Sequence, residues 1–278
     1  MTKNENITTA LIDFDILCFE AGHKSDGLYY FYPEVEFETP YKEEMDRFIA
    51  TNELDPSLME VRYNPLPISV AYECIDSRIK EISEFFPEVQ ELKGFLTGKG
   101  NFRYRIATIL PYKGNRRALR KPAHLPEIRQ YLIEKYKAVE TKGEEADDAL
   151  GYNQTETSCI CSTDKDFNCI PGWHMMWQTP WNKEAKKWWV SELDATRFFY
   201  KQLLTGDKGD NVLGLHGIGP TSTYLKKIDK LENEKEMFDI VYALYHQRFG
   251  QYAEPFLLET GRLLKIRRSP EEMWSFPQ

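Results

Sequence analysis

The sequence predicts an α/β protein: a central, mostly parallel sheet flanked by helices, followed by a helical C-terminal region. Three observations predict it. Short apolar runs of strand length (Thr9–Leu17, Leu92–Thr97, Ala138–Glu140 and Ser158–Ser162) alternate with segments of helical apolar spacing. Acidic residues fall at or just past the carboxyl ends of such runs, where open α/β sheets gather their sites. From Asp194 onward the spacing is helical, broken by one glycine-rich turn. The chain has 278 residues and is 41% hydrophobic, enough for one large domain or two small ones with a sizeable core.

Thr9–Leu17 reads as a buried strand, on which Asp13 and Asp15 share a face because strand side chains alternate. The stretch from His23 to Pro67 is the least legible. Tyr29–Tyr32 and Val35–Glu38 predict a β-hairpin, and the acidic stretch after it a solvated helix or loop. Ile68–Phe86 predicts a helix with Val70, Ile75, Ile79, Ile82 and Phe86 on its apolar side, closed by Pro87. The strand Leu92–Thr97 ends at Gly98-Lys99-Gly100, a turn that lets a ligand backbone approach closely. Pro126–Tyr136 predicts a helix, Ala138–Glu140 a third strand, and a further helix begins near Glu145. After the strand Ser158–Ser162, Met175–Gln178 and Lys187–Val190 suggest a second hairpin. Asp194–Leu204, Glu236–Arg248 and Tyr252–Ile266 are helical, and Trp274 and Phe276 anchor the tail. The expected division is an α/β domain over 1–205, with a basic segment near 99–125, and a helical region over 206–278.

The net charge is −8, which argues against a polyanion partner until its distribution is read. From Lys99 to Lys121 the chain carries Lys99, Arg103, Arg105, Lys113, Arg116, Arg117, Arg120 and Lys121 and no acid, whereas Glu34–Glu60 is strongly acidic. Cations interleaved with Tyr104 and Tyr112 suit phosphates and bases. The opening of the chain is polar and no apolar run is long enough to span a bilayer, so a soluble, cytoplasmic protein is expected. Its five cysteines contain no CxxC pair and read as buried reduced thiols.

The chemistry centres on Gly143-Glu-Glu-Ala-Asp-Asp-Ala149, where Glu145, Asp147 and Asp148 occupy three of four positions. Like charges at that density repel and raise one another's pKa, so a cation is expected among them. A helix N-terminus explains one such acid, but not two consecutive aspartates further in. Asp13/Asp15, Asp164/Asp166 and Asp207/Asp210 supply further pairs, and together the four clusters read as one metal centre. All-oxygen donors favour Mg²⁺ or Mn²⁺ over Zn²⁺. Directly after Asp210, Gly217-Ile218-Gly219 predicts a tight hairpin, with Pro220 in the first turn of the next helix. The outward amides of such a turn hold phosphate without reading sequence, and Thr221, Ser222 and Lys226 add side-chain contacts.

With these motifs in their order, the chain resembles the 5′ nucleases of the flap-endonuclease family, and most closely the bacteriophage 5′→3′ exonucleases. The resemblance rests on Leu11–Asp15, Tyr112–Arg116, Glu145–Asp148, Ser162–Asp166, and Gly206–Asn211 running into Gly214–Gly219. It implies the PIN-like 5′-nuclease fold with a helix-hairpin-helix element. It implies two Mg²⁺ ions, with Mn²⁺ as substitute, on Asp13, Glu145, Asp147, Asp148, Asp164, Asp166, Asp207 and Asp210. Tyr112, Lys113 and Arg116 match the start of the arch or clamp, with Lys113 and Arg116 expected to neutralise the reacting phosphate. Lys99, Arg103, Arg105, Tyr112, Arg117, Arg120, Lys121, Gly217, Gly219, Thr221 and Lys226 are the expected nucleic-acid contacts, with K⁺ at the glycine hairpin. The expected partner is DNA with a 5′ end, flap, nick or gap, or an RNA–DNA hybrid, bound by a monomer serving phage replication or recombination. One departure stands out: Gly98 occupies the turn where the family has an aspartate, and Asp15 is the candidate substitute. A PIN-like ribonuclease and a DNA-binding scaffold with a decayed site are the competing readings.

Overall fold

A computed structural model describes residues 3, 5–116, 119–180 and 182–277. The chain opens with β1 (Thr9–Asp13) and α1 (Phe14–Ser25). An excursion follows, with β2 (Leu28–Tyr32), β3 (Phe37–Thr39), α2 (Lys42–Thr51) and β4 (Glu60–Tyr63). Next come α3 (Ser69–Phe85), β5 (Glu91–Leu96), the single turn α4 (Arg103–Ile106), α5 (Leu125–Tyr136), β6 (Val139–Glu140) and α6 (Ala146–Asn153). The chain then forms β7 (Ser158–Cys161), β8 (Gly172–Met176), β9 (Lys186–Val190) and α7 (Glu192–Thr205). It closes with the short pair β10 (Gly206–Asp207) and β11 (Val212–Leu213), then α8 (Thr223–Ile228), α9 (Glu234–Phe249) and α10 (Ala253–Leu264).

The main sheet has the order β6-β5-β1-β7-β8-β9. Every pairing is parallel except β8 with β9, which is the antiparallel hairpin expected near 175–190. The chain winds outward from β1 through β5 to β6, then returns to β7 on the other side of β1. Strand order therefore reverses between β1 and β7, a switch point at whose carboxyl ends open α/β sheets gather their sites.

Both faces of the sheet are covered, as parallel strands require. Alternation sorts the side chains: Leu11 and Ile160 face α6, α7, α9 and α10, while Ala10, Ile12, Cys159 and Cys161 face α1, α3 and α5. The first of these cores continues unbroken from β1 and α6 into α9 and α10, across position 205. All five cysteines are buried free thiols. No helix among the described residues is long and apolar enough to cross a membrane.

The strand expected over Thr9–Leu17 is shorter: it ends at Asp13 and turns at once into α1. Asp13 itself is the N-cap, its Oδ1 accepting from the Ile16 amide at 3.1 Å. The apolar run beyond it belongs to a helix whose Phe14 ring lies against Gly94 of β5. A Cβ at Gly94 would lie 2.0 Å from that ring, so the entry of α1 onto the sheet depends on a glycine there. Short apolar runs do not separate strand from buried helix by period alone.

The excursion over 28–63 forms a three-stranded antiparallel sheet, β3-β2-β4, with its own small core of Tyr32, Met45 and Ile49. The hairpin expected at its start is β2–β3, and the acidic stretch is α2. Strand β4 carries no sequence signal beyond Val61 and Tyr63, since its residues are half-exposed or exposed. Pro220, expected in the first turn of a helix, instead precedes Ser222, the N-cap of α8.

Candidate active site

The β1/β7 switch point collects carboxylates from separate segments. Asp13 ends β1 and is 1% exposed. Ser162, one residue past β7, donates its hydroxyl to Asp13 Oδ2 at 2.8 Å and accepts from the Asp164 amide at 3.0 Å. One hydroxyl thus ties the ends of both strands together. Asp164 in turn caps a 3₁₀ turn by accepting from the Asp166 amide at 2.8 Å. On α6, Glu145 is the N-cap and Asp147 lies in the first turn, half-buried.

Their mutual repulsion registers in their protonation. Burial, and then the Asp15 charge, pushes the Asp13 carboxyl up to about 7, with Asp164 adding to the rise. Burial pushes the Asp147 carboxyl well above the carboxylate range, with Asp13, Glu145 and Asp164 contributing and Lys113 opposing. The Asp166 carboxyl is pushed up to about 8 by burial, by Asp164 and Asp207, and by a hydrogen bond with Asp207. These are two overlapping groups sharing Asp164: one of Asp13, Asp147 and Asp164, the other of Asp164, Asp166 and Asp207. Among the described residues no three His, Cys, Asp or Glu side chains converge to the spacing of one ion's coordination sphere. The donors fit hard divalent ions by chemistry, being oxygen anions whose shared charge such an ion would relieve.

The basic side of the site is the turn that follows Tyr112. Lys113, in the left-handed region at φ 51°, extends its Nζ to within 2.5 Å of Glu145 Oε1. Burial works to lower the Lys113 ammonium, and the charges of Glu145, Asp210 and Asp147 override it and raise it. Arg116 donates to Asp210 Oδ1 at 2.7 Å and to the Gly209 carbonyl at 2.8 Å. The Tyr112 hydroxyl lies 2.8 Å from Glu145 Oε2 and 2.5 Å from Asp210 Oδ2, between two carboxylates with one proton to donate. The two sequence motifs, 112–116 and 207–211, therefore form one interlocked unit over the acids.

Several expected site residues are placed elsewhere. Asp148 faces away from the acid cluster: Arg103 donates to both of its oxygens, at 2.6 and 2.8 Å, and the Arg267 amide adds a third bond at 3.1 Å. Burial works to raise the Asp148 carboxyl, but Arg103 holds it below the usual range. Arg103, expected on a nucleic-acid surface, is 2% exposed and also bonds the carbonyls of Leu263 and Lys265. The pair pins α6 to the end of α10. Arg103→Leu would strand a buried carboxylate and should cost about 3–5 kcal/mol of stability in urea unfolding.

Asp15 lies in the first turn of α1 rather than on a strand face with Asp13. It accepts from the Thr97 amide, at 3.0 Å to Oδ2, and from Arg129 at 3.2 Å. These bonds tie α1 to β5 and α5, while its charge still bears on Asp13. Gly98 is equally constrained: a Cβ there would lie 2.0 Å from the Thr141 carbonyl oxygen. The backbone leaves no room for an acid at that turn, and Gly98→Ala should cost roughly 1–3 kcal/mol, measured by thermal melting. Arg120 is drawn to Asp26 at 2.7 Å and stacks on Tyr63, so it anchors the basic segment to the excursion. Tyr112 is buried within the site, not displayed on a surface. Lys99, Arg105, Lys121, Thr221 and Lys226 are exposed, as are the Gly217 turn (φ 86°) and the neighbouring His216; Gly219 is half-buried. Arg117 lies outside the described residues.

Two site residues escaped the sequence reading. Ser162 was visible only as the first residue of its motif. Gln202 on α7 donates from Nε2 to Asp166 Oδ1 at 2.9 Å. Its one signal is a polar residue among Phe199, Tyr200, Leu203 and Leu204.

The chain is a doubly wound sheet with clustered acids at its switch point, a basic turn beside them and the exposed Gly217 turn beyond. The D15 protein of bacteriophage T5, crystallised with metal ions, aligns with this chain at a TM-score of 0.55 and 16% identity, over 92% of this chain and 88% of that one. The two share a fold. Two further T5 structures align at lower scores and add nothing to that comparison. A flap endonuclease complex with DNA and metal ions gives 0.46 at 15% identity, over 92% and 99% of the two chains. A 5′-exonuclease mutant gives 0.45 at 12% identity, over 93% and 100%. No protein-family model and no curated protein matches the sequence.

Proposed function

We propose that this chain is a divalent-metal-dependent 5′ nuclease acting on DNA. The observation that carries the reading is the meeting of Asp13, Asp147 and Asp164, from three separate segments, close enough that Asp13 and Asp164 raise the Asp147 carboxyl and Asp164 raises that of Asp13, beside the Lys113 ammonium. Folds need no such cluster, and its cost is relieved by cations.

In this reading Asp13, Asp147 and Asp164, with Glu145 beside them, hold one ion, and Asp164, Asp166 and Asp207 hold the second. When bound, such ions activate water and stabilise the leaving oxygen of a phosphodiester. Asp148 and Asp15 serve as positioning groups, the first fixing α6 and the second the α1–β5 junction. Lys113 and Arg116 stand over the acids, where their charge neutralises the reacting phosphate. Exposed Lys99, Arg105 and Lys121, and the amides of the Gly217 turn, bind the DNA backbone without reading its sequence. Hydrolysis by in-line attack leaves a 5′-phosphate on the downstream product. K⁺ at the Gly217 turn, action on RNA–DNA hybrids and a role in phage replication follow from the same resemblance.

The test is Mg²⁺-dependent digestion of 5′-end-labelled duplex, gapped and flap DNA, read on a sizing gel beside single-stranded RNA. Release of nucleotides or short oligomers from the DNA 5′ side is the expected result. Cleavage of the RNA alone would favour the ribonuclease reading, and no cleavage the decayed scaffold. Lys113→Ala should slow DNA hydrolysis about 100-fold or more in single-turnover assays, with a milder loss of binding.

A further inference from the structure

Helix α7 turns an apolar face of Ala195, Phe199, Leu203 and Leu204 to the core. Gln202 shares that burial, at 7% exposure, although packing there asks only for a hydrocarbon. A buried amide is unfavourable unless its polar atoms find partners. Half of this one does: Nε2 donates to Asp166 Oδ1 at 2.9 Å. The other half, Oε1, is buried without a hydrogen-bond partner. Gln202 lies little more than a turn before Asp207, which itself reaches the same Asp166 carboxyl.

The chemistry of the surroundings gives this amide a use. Asp164 and Asp207 both act on Asp166 by repulsion, and the Asp207 contact to it depends on a shared proton. A neutral amide orients Asp166 without either. Its N–H fixes one Asp166 oxygen, and its Oε1, on the same amide group, is an uncharged hard oxygen that no protein group engages. Partners of this kind orient ligands and typically change metal affinity 10- to 100-fold when removed.

We infer that Gln202 is a positioning residue of the cation position formed by Asp164, Asp166 and Asp207, holding Asp166 through Nε2 and accepting from ion-bound water through Oε1. The inference rests on the metal-dependent reading above. It assigns the second ion a neutral contributor from α7, outside the acidic motifs.

The experiment is a Mn²⁺ titration of the DNA-free protein followed by electron paramagnetic resonance, with wild type, Gln202→Leu and Gln202→Met, each checked by thermal melting. Both variants keep the volume of the side chain and remove its hydrogen bonds. The expected result is an unchanged melting temperature with one Mn²⁺ bound roughly 10- to 100-fold more weakly. Wild-type Mn²⁺ affinity in a variant that melts like wild type would overturn the inference and leave the nuclease reading standing. Loss of folding in both variants would also overturn it, since Gln202 would then serve the fold. A wild-type protein that binds no Mn²⁺ and cuts no DNA would remove the reading beneath it.

Discussion

Asp147→Asn should abolish hydrolysis, by at least about 1,000-fold or ~4 kcal/mol of barrier, while DNA binding should change little. The expectation follows from position. Asp147 interacts with Asp13, Glu145 and Asp164 together, so every cation held by the first group passes close to it. Asparagine keeps the shape and one oxygen, but removes the charge that an ion would neutralise. The exposed cations and the Gly217 turn proposed to hold the DNA backbone belong to other segments and are untouched. The same substitution should raise the melting temperature of the metal-free protein, because it removes a carboxyl that the folded state must either protonate or hold charged among like charges. Activity and stability therefore move in opposite directions, which simple misfolding would not produce. Single-turnover cleavage of a flap substrate in Mg²⁺, binding by fluorescence anisotropy in Ca²⁺, and thermal melts in chelator measure the three effects. Undiminished hydrolysis would sink the assignment of the site.

The second large effect is a pH dependence whose sign depends on metal. The Asp13 and Asp166 carboxyls are raised to about 7 and about 8, and Asp147 is raised as well. In the unfolded chain such groups titrate near 4. Between these limits the folded protein holds more protons than the unfolded one, so stability falls as pH rises. The metal-free melting temperature should drop by about 5 °C or more between pH 5 and pH 9, most steeply between the unfolded and the raised values and levelling off as pH passes the latter. A bound divalent ion replaces those protons, so its binding releases them and tightens as pH rises through 7 to 8. Melting curves from pH 5 to 9, with chelator and with 10-fold steps of Mn²⁺, should diverge as pH increases. A metal-free melting temperature that climbs steadily over that range would contradict the protonated cluster.

Much of this was open to a reader of the sequence. The strands that carry the site are short apolar runs ending in Asp13, Ser162 or Thr97, and period plus punctuation is enough to find them. The acids of 145–148, 164–166 and 207–210 stood out because local crowding of charge is visible in one dimension. The excursion over 28–63 resisted because its sheet is small, half-exposed and supported by a core of few residues, so it leaves little apolar periodicity. The helix start at Phe14 resisted because its signal is a partner: Phe14 needs Gly94, eighty residues away.

Composition, periodicity and the order of the motifs by themselves determined the class of fold, the carboxyl-end location of the acids and the basic turn that faces them. These are local properties, written in spacing along the chain. What only the tertiary structure decided is how each charge is used. Asp147 and Asp148 are adjacent, yet one faces a repelling cluster and the other a buried arginine. Arg103 and Arg105 are two apart, yet one is core and the other surface. Asp15 went to Arg129, Gly98 closed against Thr141, and Gln202 came in from α7. A charge acquires its role from the partner across the fold, and a carboxylate's sequence neighbours do not name that partner.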